Sequence, residues 1–241
     1  MKHYAVKPGN RAVVLTGNDD GYLTALELLD QGIEVAAVVD MRPAVESEAI
    51  ASAVLARGVE ILSGHTVYEA IPTKGNKHVR AVDVRRIVAK GEVADKGEQI
   101  DCDLLCMSAG YMPVYQLLCQ AGGQLTYDDT AAEFSLSKLP QHLRIAGSVN
   151  GVHSLNAVMV DGERAALEAL QALGLANGEM PAQVNCERRV NFEWPIFSHP
   201  KGKDFVDFDE DLQALVSDTK IAAYNERFGL SSLKVTSQTG E

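Results

Sequence analysis

Four cysteines in 241 residues do not make a disulfide framework at this length. Cys102 and Cys106 flank three residues rather than two, so they are no dithiol pair; they are expected as buried thiols on one face of an apolar strand. No His/Cys cluster has zinc-ligand spacing, which excludes a structural or catalytic zinc site of the usual kind. His3, His65, His78, His142, His153 and His199 are scattered, and none has an obvious partner. The catalytic set read from the sequence is therefore empty, and so is the metal set. Basic residues are scarce, 22 against 33 acidic ones, a net charge of −11 that argues against a nucleic-acid binder. No apolar run approaches the ~20 residues of a membrane span. The opening Met1-Lys2-His3-Tyr4 has no apolar signal core, so a cytoplasmic protein without a targeting peptide is expected. What is there is balanced: 46% apolar and 23% charged residues, which excludes bulk disorder.

The chain opens on a strand–helix–strand pattern. Arg11–Thr16 is a short apolar run bounded by Pro8-Gly9 and Gly17, which reads as a buried strand. Asp20 to Gln31 carries Tyr22, Ala25, Leu26 and Leu29 at helical spacing, with Gly32 placed to end the helix. Ile33–Val39 is a second β-branched run closed by Asp40. About 30 residues is the size of a crossover between parallel strands. A helix over Val45–Arg57 and a strand over Val59–Leu62 extend the same sheet. After Gly64 the pattern turns to alternation. Thr66–Ile71, Val79–Val88 and Glu98–Ser108 are extended segments joined by polar turns, an antiparallel meander whose last apolar part, Leu104–Ser108, returns to the parallel sheet.

A third region begins at Gly110, with Pro113 in the first turn of a helix through Leu118. Leu143–Ala146 reads as a short strand leading into the Gly147–Gly151 turn. From there a long helix places Leu155, Val158, Met159, Gly162, Ala166, Leu170 and Leu173 on one face, with close packing expected at Gly162. The tail from Asn191 mixes aromatic and acidic residues without periodicity. The expected fold is α/β: a Rossmann-like, mostly parallel sheet with an antiparallel β-meander (residues 1–109), a partial second flavoprotein-like lobe (110–176), and a linker with an irregular tail (177–241).

The turn after the first strand carries the strongest chemical signal. A dinucleotide fingerprint places three glycines there so that amides can approach a pyrophosphate. Here those positions read Thr16, Asn18 and Gly21, and only the third, which lets helix and strand pack closely, is glycine. Asp19 and Asp20 add negative charge, while the helix N-terminus still offers amides. Asp40 stands where an acid would hold ribose hydroxyls and disfavour a 2′-phosphate. Thr16, Asn18, Asp19, Gly21 and Asp40 are the candidate cofactor-binding residues, with NAD as the ligand. The alternative is a tight strand–helix turn with a solvated Asp. Gly147–Gly151 has the same two readings, a phosphate-holding turn or a tight connection.

Several stretches carry a family likeness. These are His3-Tyr4-Ala5-Val6 through Pro8-Gly9 and Arg11-Ala12-Val13-Val14, then Thr16, Asn18 and Asp19, and the strand Val35–Asp40. The most specific is Asn191-Phe192-Glu193-Trp194-Pro195-Ile196-Phe197 with His199-Pro200-Lys201-Gly202-Lys203-Asp204-Phe205-Val206-Asp207-Phe208-Asp209-Glu210-Asp211. Over residues 3 to 212 the chain resembles the middle of the alpha subunit of heterotetrameric sarcosine oxidase. The resemblance implies a piece of a longer subunit in an oxidoreductase acting on the CH–NH group of sarcosine. It implies NAD in the alpha subunit, held by the turn at Thr16 or by a Gly-rich motif absent here. FAD, FMN and tetrahydrofolate belong to the complete enzyme. After Gln213 the sequence departs from the family. Two classes stay open: a component of such an oxidase, or the corresponding subunit of a related amine or imino-acid dehydrogenase, not catalytic alone; or a structural or assembly module that has lost its nucleotide. The expected partners are other subunits of a hetero-oligomeric oxidase, or a second copy through the second lobe. Leu143–Leu173 should expose apolar surface there, since one strand makes no independent sheet.

Overall fold

The computed structural model of the chain describes residues 5–128, 131–182, 190–195 and 197. The first half builds β1 (Arg11–Thr16), α1 (Asp20–Asp30), β2 (Glu34–Asp40), α2 (Glu48–Ala56) and β3 (Glu60–Ser63). A meander follows as β4 (His65–Pro72), β5 (Val79–Ala89), β6 (Glu92–Val93) and β7 (Glu98–Asp101), and β8 (Leu104–Ser108) returns to the first sheet. The sheet order is β3-β2-β1-β8 and every pairing in it is parallel. The meander is antiparallel, with β4, β6 and β7 all pairing β5. This is the α/β, Rossmann-like arrangement that the run lengths predicted.

β1 is apolar without alternation because both its faces are covered. Ala12 and Val14 face α1 and α2, meeting Tyr22, Ala25, Leu28 and Val54. Val13 and Leu15 face the meander, meeting Val82, Val84 and Cys102. Side chains of this size stabilise by about 1.5–3 kcal/mol each when fully buried. Gly32 ends α1 as expected. At φ +70° its amide donates to the Leu29 carbonyl and that of Ile33 to Leu28, which closes the last turn.

The second region departs from the sequence reading in three places. Leu143–Ala146 forms no strand. Its sheet is instead a hairpin of β9 (Gln124–Asp128) and β10 (Glu133–Lys138), where Tyr127 and Phe134 meet edge to face at 5.1 Å. The helix after Pro113 starts later, as α3 (Gln116–Gln120). α4 (Leu155–Ala172) is the long helix foreseen, capped by the Ser154 side chain, which accepts from the Ala157 amide. Gly162 packs against nothing within 4 Å, so it is no close-contact site. The apolar face of α4 lies outward, with Leu155, Met159 and Leu173 each about 70% exposed. That is the open apolar surface expected of this region.

The cysteines also differ from expectation. Cys102 lies before β8 and packs with the meander, whereas Cys106 packs on the helix side of the sheet. The two thiols therefore sit on opposite faces. Among the described residues no group of three or more metal-ligating side chains occurs, and no helix is long and apolar enough to cross a membrane.

Candidate dinucleotide crevice

In an open parallel sheet, ligands bind outside the carboxyl ends of the strands where the order reverses. Here the reversal falls at β1, flanked by β2 on one side and β8 on the other. The ends are in register: Thr16 lies opposite Asp40 and Ser108. Four of the five candidate residues, Thr16, Asn18, Asp19 and Gly21, sit in the turn at this point, and Asp40 ends the neighbouring strand.

Gly21 does what the third fingerprint glycine does. A Cβ there would overlap the Thr16 side chain, so only glycine lets α1 lie this close to β1. The rest of the turn is closed on itself. The Gly17 amide donates to the Ser108 carbonyl (2.9 Å) and the Asn18 amide to Thr16 Oγ1 (3.2 Å). The Asp20 amide donates to Asn18 Oδ1 (3.1 Å), which also accepts from Ser108 Oγ (2.9 Å). Three amides that a pyrophosphate would seek are already satisfied. Asp20 is held by Tyr111, whose hydroxyl donates at 2.6 Å.

Asp40 is fully buried rather than solvated. It accepts from the Tyr22 hydroxyl (2.8 Å), the Arg42 amide (2.9 Å) and Arg42 Nη2 (2.9 Å). Arg42 also faces Asp19 at 3.0 Å, out of line for a hydrogen bond, and Glu46 at 4.0 Å. Burial would lower the guanidinium pKa, but the bond and charge of Asp40, then the charge of Asp19, outweigh it and raise it. Burial first, then Asp40, raises the Tyr22 hydroxyl. Arg42 and Tyr22 were not singled out as functional residues from the sequence. The available signal was an arginine two residues after the strand-ending acid.

A segment distant in sequence lies across the crevice. Asn18 Nδ2 donates to the Val190 carbonyl (2.8 Å), the Tyr111 amide to Asn191 Oδ1 (2.5 Å), and the Phe192 amide to the Ala109 carbonyl (3.1 Å). Phe192 covers Gly17 so closely that a Cβ on Gly17 would stand 2.6 Å from the Phe192 Cβ. Beyond it, a cleft of about 300 Å³ opens between Met41, Ile87, Lys90, Phe192, Trp194 and Phe197. Lys90 pairs with Glu193 at 2.7 Å.

The second Gly-rich turn is a tight connection. The Gly147 amide donates to Asp161 of α4 at 2.7 Å, so a carboxylate stands where an anion would. His153 does have a partner, against expectation: Nε2 lies 3.3 Å from Glu133, with both side chains 10% exposed. Asn191 Nδ2 reaches the same carboxylate at 3.3 Å.

No protein-family model matches the chain. The alpha subunit of sarcosine oxidase from Rhizobium meliloti is 30% identical over 215 residues, 88% of this chain. Over that span the chain is similar to the sarcosine oxidase alpha subunit. It spans about a fifth of the length of these subunits; the protein from Corynebacterium sp. strain P-1 is 31% identical over 75% of this chain and 18% of its own. Among solved structures, thioredoxin reductase of Lactococcus lactis is similar, with a TM-score of 0.51, 18% identity, and coverage of 70% of this chain and 54% of that one. At that identity the likeness shows the fold alone. The sarcosine oxidase likeness spans most of the chain.

Proposed function

We propose that the chain is the nucleotide-type lobe of an oxidoreductase component related to sarcosine oxidase, acting on the CH–NH group of a sarcosine-like amine only within a larger cytoplasmic assembly. The sequence likeness over 88% of the chain carries this reading. Partner subunits would cover the outward faces of α3 and α4, where Leu117 and Leu155 are each more than 70% exposed. FAD, FMN and tetrahydrofolate belong to such an assembly, and no residue of this chain is assigned to them. The chain spans a fifth of its relatives' length, so in isolation it should not oxidise sarcosine.

NAD is the proposed nucleotide, at Thr16, Asn18, Asp19, Gly21 and Asp40. The close fit of Gly21 on Thr16 supports it, because it brings the N-terminus of α1 to the switch point. Asp19, Asp40 and Glu46 outnumber Arg42, which favours NAD over NADP. A second reading is a structural module without nucleotide, favoured by the self-satisfied amides of Gly17, Asn18 and Asp20. Calorimetric titration of the chain with millimolar NAD separates them: saturable heat supports the NAD reading, and a flat titration supports the scaffold. Tighter binding of NADP would refute the charge argument.

A further inference from the structure

The segment Val190–Phe192 lies across the turn at the switch point and is held there by the protein's own polar groups. Its contacts fall on both sides of the switch point. Val190 meets the end of β1 through Asn18, while Asn191 and Phe192 meet the residues after β8 through Tyr111 and Ala109. The Asn18 contact does more than hold the strap. With Nδ2 committed to the Val190 carbonyl, the amide group is oriented so that Oδ1 caps the Asp20 amide and accepts from Ser108. The seated strap and the closed turn are thus one arrangement: while Val190 is in place, an amide at the helix N-terminus is unavailable to an anion. Phe192 completes the cover by lying on Gly17 with Met41 behind it.

We infer that residues 190–192 are an internal competitor for the dinucleotide, a strap that must leave the switch point before the turn can hold a pyrophosphate. The inference rests on the NAD reading above. Lifting the strap frees the Asn18 side chain, uncaps the Asp20 amide and bares Gly17. The competitor is covalently attached, so its effective concentration is fixed. It lowers the apparent affinity for NAD by the fraction of molecules in which the crevice is open. A strap closed more than about nine-tenths of the time weakens binding by about tenfold or more.

The test uses the full chain and two variants. Asn191→Ala removes the bond from the Tyr111 amide and those that Nδ2 donates to Glu133 and the Ala131 carbonyl, and leaves the Phe192 ring in the core. Gly17→Ala adds a methyl group beneath Phe192, where it does not fit. Trp194 is the only tryptophan in the chain and lies two residues beyond Phe192, so its emission reports strap displacement without any ligand. The expected result is a shift of Trp194 emission in both variants, with NAD binding about tenfold tighter in Asn191→Ala than in the parent chain. Adding NAD to the parent chain should move the emission in the same direction. Equal NAD affinity in the parent and in a strap-displaced Asn191→Ala chain would overturn the competitor while leaving the NAD site standing. A displaced strap with no NAD binding at all would overturn both. An Asn191→Ala chain with unchanged emission and unchanged affinity would show that its contacts do not hold the strap, and would refute the inference.

Discussion

Replacing Asp40 by alanine should destabilise the fold before it affects any ligand. Asp40 is fully buried and accepts from Tyr22 and from both the backbone and side chain of Arg42. Without it, Arg42 stays in a site where its side chain is 10% exposed, with Asp19 at 3.0 Å out of line and Glu46 at 4.0 Å. Breaking a buried ion pair from one side costs about 3–5 kcal/mol. Asp19 still offsets part of the charge, so the lower end, about 3 kcal/mol, applies. At about 2–4 °C per kcal/mol for a chain of this size, the melting temperature should fall by roughly 6–12 °C. The assay is thermal unfolding followed by circular dichroism at neutral pH. Asp40→Asn, which keeps an acceptor, should lose less. The double change Asp40→Leu with Arg42→Met should recover only part of the loss, because Asp19 then lacks the Arg42 cation and the Tyr22 hydroxyl its acceptor. An Asp40→Ala chain melting within about 2 °C of the parent would refute the reasoning, since the cluster would then be neither dry nor coupled to folding.

Gly21→Ala should cost roughly 1–3 kcal/mol by overpacking against Thr16, seen as a lower urea midpoint; an unchanged midpoint would mean α1 can shift freely on β1. Burial and Asp40 raise the Tyr22 hydroxyl, so the unfolded chain releases that proton near pH 10 and the folded chain does not. Stability is then full below about pH 10 and falls as pH rises above it, and Tyr22→Phe should remove that part of the slope in urea melts at alkaline pH. Burial raises the Cys102 and Cys106 thiols while Cys119 is exposed. Of these three, Cys119 should therefore react first with a thiol reagent at about pH 8, as peptide mapping can show.

The parallel sheet was legible because its signals are local. β-branched runs bounded by glycine and helical spacing over Tyr22, Ala25 and Leu29 each depend on a dozen residues. The hairpin of β9 and β10 was missed: Leu125 alternates with Tyr127 and Phe134 with Leu136, but the strand was assigned to the apolar run at Leu143–Ala146 instead. That run has no partner in the sheet, and apolar character without a partner makes no strand. Asp40 ends β2 as expected, and it is not the solvated acid of the alternative reading. Only the fold shows that Tyr22 rises from α1 to meet it and that Arg42 folds back over it. The strap was beyond reach, because Asn18 and Val190 are 172 residues apart and nothing in either neighbourhood points to the other.

Strand β1 pairs with β2 across a separation of 23 residues, Arg11 with Glu34, and with β8 across 92, Ala12 with Leu104. Loop closure makes the second pairing dearer by only two doublings of length, about 1.2 kcal/mol. The larger consequence is one of order during synthesis. Until the whole meander has emerged, one edge of a strongly apolar strand stays open, the kind of edge that pairs with the wrong chain. Asp103 meets that hazard where the two strands begin. Its carboxylate accepts from the amides of Asn10 and Arg11, both at 2.8 Å, and these bonds lower its pKa. A slip of one residue would break that grip and turn Leu104, Leu105 and Cys106 of β8 to the wrong layers. The acid just ahead of β8 therefore acts as a register pin, fixing how the last strand closes the sheet.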